Sequence, residues 1–321
     1  MIGKILCLIV PCFNEEEILN YSAPILKEKL EKLIEKKKIS DKSKILFVDD
    51  GSTDTTWNII TNFHKQNKIY TGIQLSKNEG HQNALLAGLN TANKLADISI
   101  SIDADLQDDV NAIEEMIDKE NEGFDIVFGV RKDRKKDSFF KKVTAEIFYK
   151  IMNFLGAKII FNHADFRLMN KKAMRCLEKF KETNLFLRGI IPNIGLKSCR
   201  VFYRREKRKA GKTKYPLPKM ISFAVNGITS CSTKLIHFIF LIGVFSLFLS
   251  LIMCFYGLFR LINGETVIGW TSLMISIWML GGIILISLGI IGEYIGKIYM
   301  EVKKRPRYII SKDLSGITDL N

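Results

Sequence analysis

The sequence predicts an α/β fold built on a mostly parallel sheet, and two observations carry that expectation. Short apolar runs alternate with longer amphipathic stretches up to about residue 130. The chemically distinctive residues fall where those runs end, at the carboxyl edge where open α/β sheets bind their ligands. In order, Ile5–Val10, Ile45–Val48, Ile69–Leu75, Ile98–Ile102 and Ile126–Gly129 read as strands. Glu16–Lys37, Thr53–Gln66, Gln82–Lys94 and Asn111–Asn121 read as the helices between them.

The most informative stretch is Ile100–Asp109, an apolar run that ends abruptly in acids. Alternation along an extended chain sends Asp103 and Asp105 to one side and Ala104 to the other, so two carboxylates converge where a strand leaves the sheet. That arrangement suits Mg2+ or Mn2+, which takes one or two carboxylates and completes its shell with water and phosphate oxygens, and so points to a nucleotide diphosphate. The plainer alternative is a solvated, Asp-rich turn. Val10–Glu15 and Phe47–Asp54 have the same layout after the first and second strands. Ser52 or Thr53 is placed to cap the next helix, which leaves Asp50 to accept hydrogen bonds from a base or ribose. Ser76–Ala84 is another loop that enters a helix, whose first amides favour anions.

Beyond residue 130 the pattern changes. Phe139–Leu155 mixes aromatic and aliphatic residues with Lys141, Lys142 and Lys150, which fits a helix in the membrane interface or a basic-edged core helix. Leu217–Ser230 reads as a second interfacial helix. Leu235–Phe259 and Val267–Gly292 contain no charged residue, and each is long enough to cross a bilayer core of ~30 Å. The flanks are basic, with Lys234 on one side and Lys297, Lys303, Lys304, Arg305 and Arg307 on the other, so the positive-inside rule places both termini in the cytoplasm. The chain therefore divides into a cytoplasmic catalytic domain (1–215), a juxtamembrane interfacial helix (216–234), two transmembrane helices (235–298) and a cytoplasmic tail (299–321).

The net charge of +14 belongs to the cytoplasmic part, because Arg260 and Lys297 cancel Glu265 and Glu293 within 235–298. Beside two spans, the partner for that charge is an anionic lipid bilayer and no nucleic acid. Six cysteines without a Cys-x-x-Cys pair read as reduced thiols. The apolar start is a first strand, since Pro11 and Glu15–Glu17 follow it with no small-residue cleavage site.

Val-Pro-Cys-Phe-Asn-Glu, Val-Asp-Asp-Gly-Ser-Thr-Asp, Asn-Glu-Gly-His-Gln-Asn-Ala, Asp-Ala-Asp-Leu-Gln-Asp, Ala-Asp-Phe-Arg-Leu-Met (164–169) and Arg205-x-x-Arg208-x-x-Gly211-x-Thr213-Lys214-Tyr215 occur in that order. Together they resemble the family-2 glycosyltransferases with a GT-A (Rossmann-like) fold, and within them the membrane-anchored polyprenyl-phosphate glycosyltransferases related to bactoprenol glucosyltransferase and dolichol-phosphate mannose synthase. The chain departs from that pattern at Asp109-Val110, where relatives often carry prolines. It has no Gln-x-x-Arg-Trp segment, which argues against a processive synthase.

The resemblance implies a nucleotide-sugar donor contacted by Pro11, Phe13, Glu15 and Asp50, and Mg2+ or Mn2+ held or oriented by Asp103, Asp105 and Gln107. It implies that Arg131, Arg205, Arg208 and Lys214 face phosphates, the last three at the polyprenyl phosphate acceptor; simple attraction of that cluster to lipid is the alternative. Asp165 is a general base or an orienting group by resemblance, and otherwise an N-cap or a partner of Arg167. His81 and His163 read as loop hydrogen-bonders. The implied reaction moves one sugar, from UDP-glucose or UDP-N-acetylglucosamine, to undecaprenyl phosphate with inversion. A GDP-mannose-dependent dolichol-type enzyme and a catalytically inactive membrane scaffold are the competing expectations. Gly281-Gly282 would suit packing between protomers of a homo-oligomer.

Overall fold

The computed structural model describes residues 3–132, 163–182, 186–204 and 269–317, with scattered positions between 236 and 263. Among these residues one sheet contains β1 (Leu6–Cys12), β2 (Lys44–Asp49), β3 (Tyr70–Leu75), β4 (Ile98–Ser101), β5 (Ile126–Arg131), β6 (His163–Asn170), β7 (Ser198–Tyr203) and β8 (Ile310–Asp313). The helices are α1 (Glu16–Glu35), α2 (Thr56–Gln66), α3 (His81–Leu95), α4 (Ala112–Asn121), α5 (Lys171–Glu178), α6 (Leu187–Asn193) and α7 (Trp270–Lys303).

The strand order is β7-β5-β6-β4-β1-β2-β3-β8. β3, β2, β1 and β4 run parallel, β6 is antiparallel to both β4 and β5, and β8 is antiparallel to β3. The fold is therefore the Rossmann-like α/β one that the sequence led us to expect, but the sheet is mixed rather than mostly parallel: three of its seven described strand pairings are antiparallel, because β6 and β8 enter against their neighbours. Period-two alternation sorts its core into two layers: Leu6, Leu8 and Val10 pack with α1, α2 and α4, while Cys7 and Ile9 pack with α3, α5 and α6. The four described cysteines, Cys7, Cys12, Cys176 and Cys199, are free thiols.

α3 lies so close to the sheet that only glycine fits at Gly88. An added Cβ would stand 2.4 Å from Ile9 Cγ2 and 2.9 Å from Val48 Cγ2. That fit fixes the height of α3 and hence of His81 at its first turn.

The tail 299–321 is more than a tail. After α7 the chain turns back, and β8 joins the sheet beside β3, with Ser76 N–H donating to Ile309 O at 2.9 Å and Leu314 N–H to Gly72 O at 2.8 Å. Arg307 donates to Phe180 O at 2.6 Å, and Asn90 donates to the Tyr308 hydroxyl at 2.8 Å.

α7 is 34 residues long, roughly 50 Å at 1.5 Å per residue. Its stretch Met279–Lys303 is long and apolar enough to cross a membrane, with a mean hydropathy of 1.8, and side chains such as Leu285, Ile286 and Ile295 are exposed. It is the one such helix among the described residues, which therefore contain one candidate crossing where the sequence suggests two. Of the earlier run, positions 236, 239, 241–246, 248, 252, 255, 256, 259 and 262 are helical. Both interfacial stretches lie outside the described residues.

Candidate active site

The loops after β1 and β2 form one knitted surface. Asp50 N–H donates to Cys12 O at 2.9 Å, Asn14 N–H to Ser52 Oγ at 2.9 Å, and Thr53 N–H to Asn14 Oδ1 at 2.9 Å. Asn14 has φ +51°, a left-handed conformation that asparagine tolerates. Pro11, Phe13 and Glu15 stand at this carboxyl edge, partly exposed. Ser52 and Thr53 are spent on the β1 loop and do not cap α2; the Thr56 N–H is taken by Asp54 Oδ1 at 3.0 Å.

Asp50 already serves the fold at this edge. It is buried, and its two oxygens accept from Glu79 N–H at 2.8 Å and Gly80 N–H at 2.9 Å. Burial raises its carboxyl above the ordinary value, against those two hydrogen bonds. Asp50 thus ties the β2 loop to the start of α3. Gly51, at φ +64°, makes the contact possible, since a Cβ would meet Lys77 C at 2.4 Å.

β4 ends at Ser101, so strand alternation does not place the acid pair; a turn does. Leu106 N–H donates to Asp103 O at 3.2 Å, Gln107 N–H to Asp105 Oδ1 at 3.2 Å, and Leu106 takes φ +48°. A leucine held left-handed stores about 1–2 kcal/mol of strain, of the kind found where a loop is shaped for function.

Two polar clusters flank that turn. In the first, Arg131 donates from Nη2 to Asp108 Oδ1 at 3.3 Å and from Nε to the Tyr203 hydroxyl at 3.3 Å, while Tyr203 donates to Asp108 Oδ1. Asp108 is buried, and its Oδ2 has no hydrogen-bond partner among the described residues. Arg131 is therefore anchored to the acid loop, with 27% of its side chain exposed.

In the second cluster Asp165 accepts from Arg167 Nη2, from Arg188 Nη2 at 2.8 Å and from Arg188 Nε at 3.3 Å. His81 Nε2 lies 3.4 Å from Asp165 Oδ2 and 3.9 Å from Asp103 Oδ1. Burial opposes ionisation of Asp165, but Arg188, His81 and Arg167 together hold its carboxyl well below the usual range. The pairing with Arg167 is the ion pair that the sequence offered as one of the alternatives for Asp165. A carboxylate whose oxygens are already shared among cations is a poor base and a good anchor. Burial lowers the basicity of His81, yet its acidic partners raise it overall.

Asp103 reads differently. Its carboxyl is pushed up to about 6, first by burial; the neighbouring carboxylates of Asp108, Asp165 and Asp105 add to that rise and His81 opposes it. Among the described residues no three His, Cys, Asp or Glu side chains are gathered as a metal cage. What the turn offers Mg2+ or Mn2+ is the chemistry of its donors, two carboxylates and the Gln107 amide, which are hard oxygen ligands.

The family model for glycosyl transferase family 2 matches residues 7–178. The chain belongs to glycosyl transferase family 2. This glycosyltransferase is 54% identical over 310 residues to the Bacillus subtilis uncharacterized glycosyltransferase YkoT, covering 97% of this chain and 92% of that one. It is 39% identical over 314 residues to the SfII prophage-derived bactoprenol glucosyl transferase of Shigella flexneri, with 96% and 98% covered. It is 39% identical over 310 residues to the prophage bactoprenol glucosyl transferase homolog of Escherichia coli, with 95% and 98% covered. A solved glucosyl-3-phosphoglycerate synthase from Mycobacterium tuberculosis, in complex with Mn2+, uridine-diphosphate-glucose and phosphoglyceric acid, aligns over 71% of this chain and 78% of its own at 15% identity and a TM-score of 0.46.

Within the glycosyltransferase, Asp103, Asp165 and Arg131 gather around the β4 turn, while Arg205, Arg208 and Lys214 lie outside the described residues. Arg188, Asp108 and Tyr203 escaped the sequence reading. Arg188 left a trace: it is a lone cation in the run Leu185-Phe186-Leu187-Arg188-Gly189-Ile190-Ile191, where a solvated face would not place one.

Proposed function

We propose that this glycosyltransferase moves one sugar from a UDP-sugar, UDP-glucose or UDP-N-acetylglucosamine, to the phosphate of a long polyprenol at the cytoplasmic face of the membrane. The observation that carries the lipid-linked reading is the tail. The chain that leaves the exposed apolar helix α7 becomes an edge strand of the catalytic sheet within a few residues, so the acid pair is held beside the bilayer. The bactoprenol glucosyl transferase names of relatives at 39% identity agree with it. Parity supports two crossings, because β7 and β8 share one sheet and the chain between them must cross an even number of times.

Chemically, a phosphate monoester oxygen attacks the anomeric carbon. The new C–O bond to the lipid phosphate forms as the C–O bond to the nucleotide diphosphate breaks, UDP departs with the electron pair, and the configuration inverts. Such an acceptor arrives already ionised, which matches a site where Asp165 is tied up by Arg167 and Arg188. Mg2+ or Mn2+ at Asp103 and Asp105 would neutralise charge on the departing diphosphate. Pro11, Phe13 and Glu15 hold the nucleotide over β1 and β2, Asp50 sets the loop behind it, and Arg205, Arg208 and Lys214 meet the lipid headgroup. The test is purified protein in detergent with undecaprenyl phosphate and a panel of radiolabelled nucleotide sugars. Transfer from a UDP-sugar to the lipid is expected; absence of transfer from every donor would sink the reading.

A further inference from the structure

Among the described residues, the polar cluster on the β6 side of Asp103 sets two guanidiniums against a single shared carboxylate, Asp165, with the His81 imidazole 3.4 Å from that carboxylate and between it and Asp103. Its parts differ in depth. Arg167 is fully buried, whereas the side chains of Arg188, His81 and Asp103 are 35%, 37% and 40% exposed. Arg167 thus serves the interior, while Arg188 and His81 are partly exposed, with His81 standing between Asp165 and Asp103, within reach of a ligand at the end of β4.

Strand order says which ligand meets it. The sheet runs β6-β4-β1-β2, with Asp103 just beyond the end of β4 and the knitted loops of β1 and β2 on one side of it. If the nucleotide lies over β1 and β2, the leaving diphosphate sits at β4. The ground across the anomeric carbon is then the β6 side, where Asp165 and Arg188 are. An in-line displacement needs its nucleophile there, and a guanidinium carries five N–H donors, so Arg188 can be held at Nε and Nη2 by Asp165 and still turn its Nη1–Nη2 end toward a phosphate.

We propose that Arg188, with His81 beside it and Asp165 holding both in place, forms a subsite for the phosphate monoester of the acceptor. This rests on the lipid-phosphate reading above and assigns it a locus on the sheet itself. Asp165 is then a positioning residue and Arg188 a substrate-binding one. The rival occupant of the same chemistry is the donor's own diphosphate.

Initial rates of the full-length enzyme in detergent separate the two, with undecaprenyl phosphate varied at fixed UDP-sugar and then the reverse. For Arg188→Gln the KM for undecaprenyl phosphate should rise at least about tenfold, the equivalent of roughly 1.4 kcal/mol, while the KM for the UDP-sugar moves far less. Arg188→Lys, which keeps the charge and loses the fork, should recover part of that loss. An equal rise in both KM values assigns Arg188 to the diphosphate and overturns the proposal. So does a fall in kcat with both KM values intact, which leaves Arg188 the structural task of holding Asp165. If thermal melts show that Arg188→Gln does not fold, the same split in Arg188→Lys decides the question. A wild-type enzyme inert toward every polyprenyl phosphate removes the parent reading as well; one that turns over while both variants keep the acceptor KM removes the subsite alone.

Discussion

Asp103 and Asp165 titrate in opposite senses, and the difference is measurable. The Asp103 carboxyl binds its proton more tightly in the folded chain than the ordinary 3.8, up to about 6, so its contribution to stability falls as pH rises through that window. Asp165, held well below 3.8, contributes stability that is present above 3.8 and lost as pH falls beneath it. Asp103→Asn should therefore melt no lower than wild type at pH 7 in excess chelator, while its turnover drops at least about 100-fold. Added Mn2+ should raise the melting temperature of wild type and not of the variant. An Asp103→Asn protein that melts well below wild type in chelator would mean the carboxylate is a structural anchor. Metal-dependent activity of the wild type should fade as pH drops below about 6, where Asp103 takes up its proton.

Among the elements, α3 is the one whose placement sets the chemistry. Gly88→Ala should cost about 1–3 kcal/mol of stability, because its Cβ would meet Ile9 Cγ2 at 2.4 Å in a filled core. It should also lower turnover by lifting His81 away from Asp165; unchanged urea midpoints and rates would show that the core has room to give. Removing residues 306–321 should expose the β3 edge, lower the melting temperature and promote aggregation of the purified protein, read by light scattering. The elements up to residue 131 were legible because each parallel strand is buried on both faces and reads as an apolar run. β6 was not, since His163, Asp165 and Arg167 interrupt its apolar run, and Asp165 and Arg167 satisfy one another only after folding. β8 was hidden because Ser311, Lys312 and Asp313 lie beside a basic flank that already had a topological explanation. The acid pair was legible in composition and wrong in geometry: a turn with a left-handed Leu106, which no periodicity reports, replaces the expected strand end. Arg188 needed tertiary information, because its partner Asp165 is 23 residues away.

For the whole molecule, the sheet sets a constraint on topology that hydropathy alone does not. Reporters fused before Met1 and after Asn321 should read out on the same side of the membrane, since β1 and β8 belong to one sheet. Opposite readouts would require the sheet to be rebuilt.

The same closing strand orders events during synthesis. Ser311 meets Gln74 across 237 positions of sequence, and at 5–20 residues per second the edge of β3 waits roughly tens of seconds for its last neighbour. The apolar segments, α7 among them, leave the ribosome within that interval. A chain still lacking its last dozen residues has an open sheet edge, so the domain closes only after the long apolar helix has been made, and closure of the sheet and placement of that helix become successive rather than independent events.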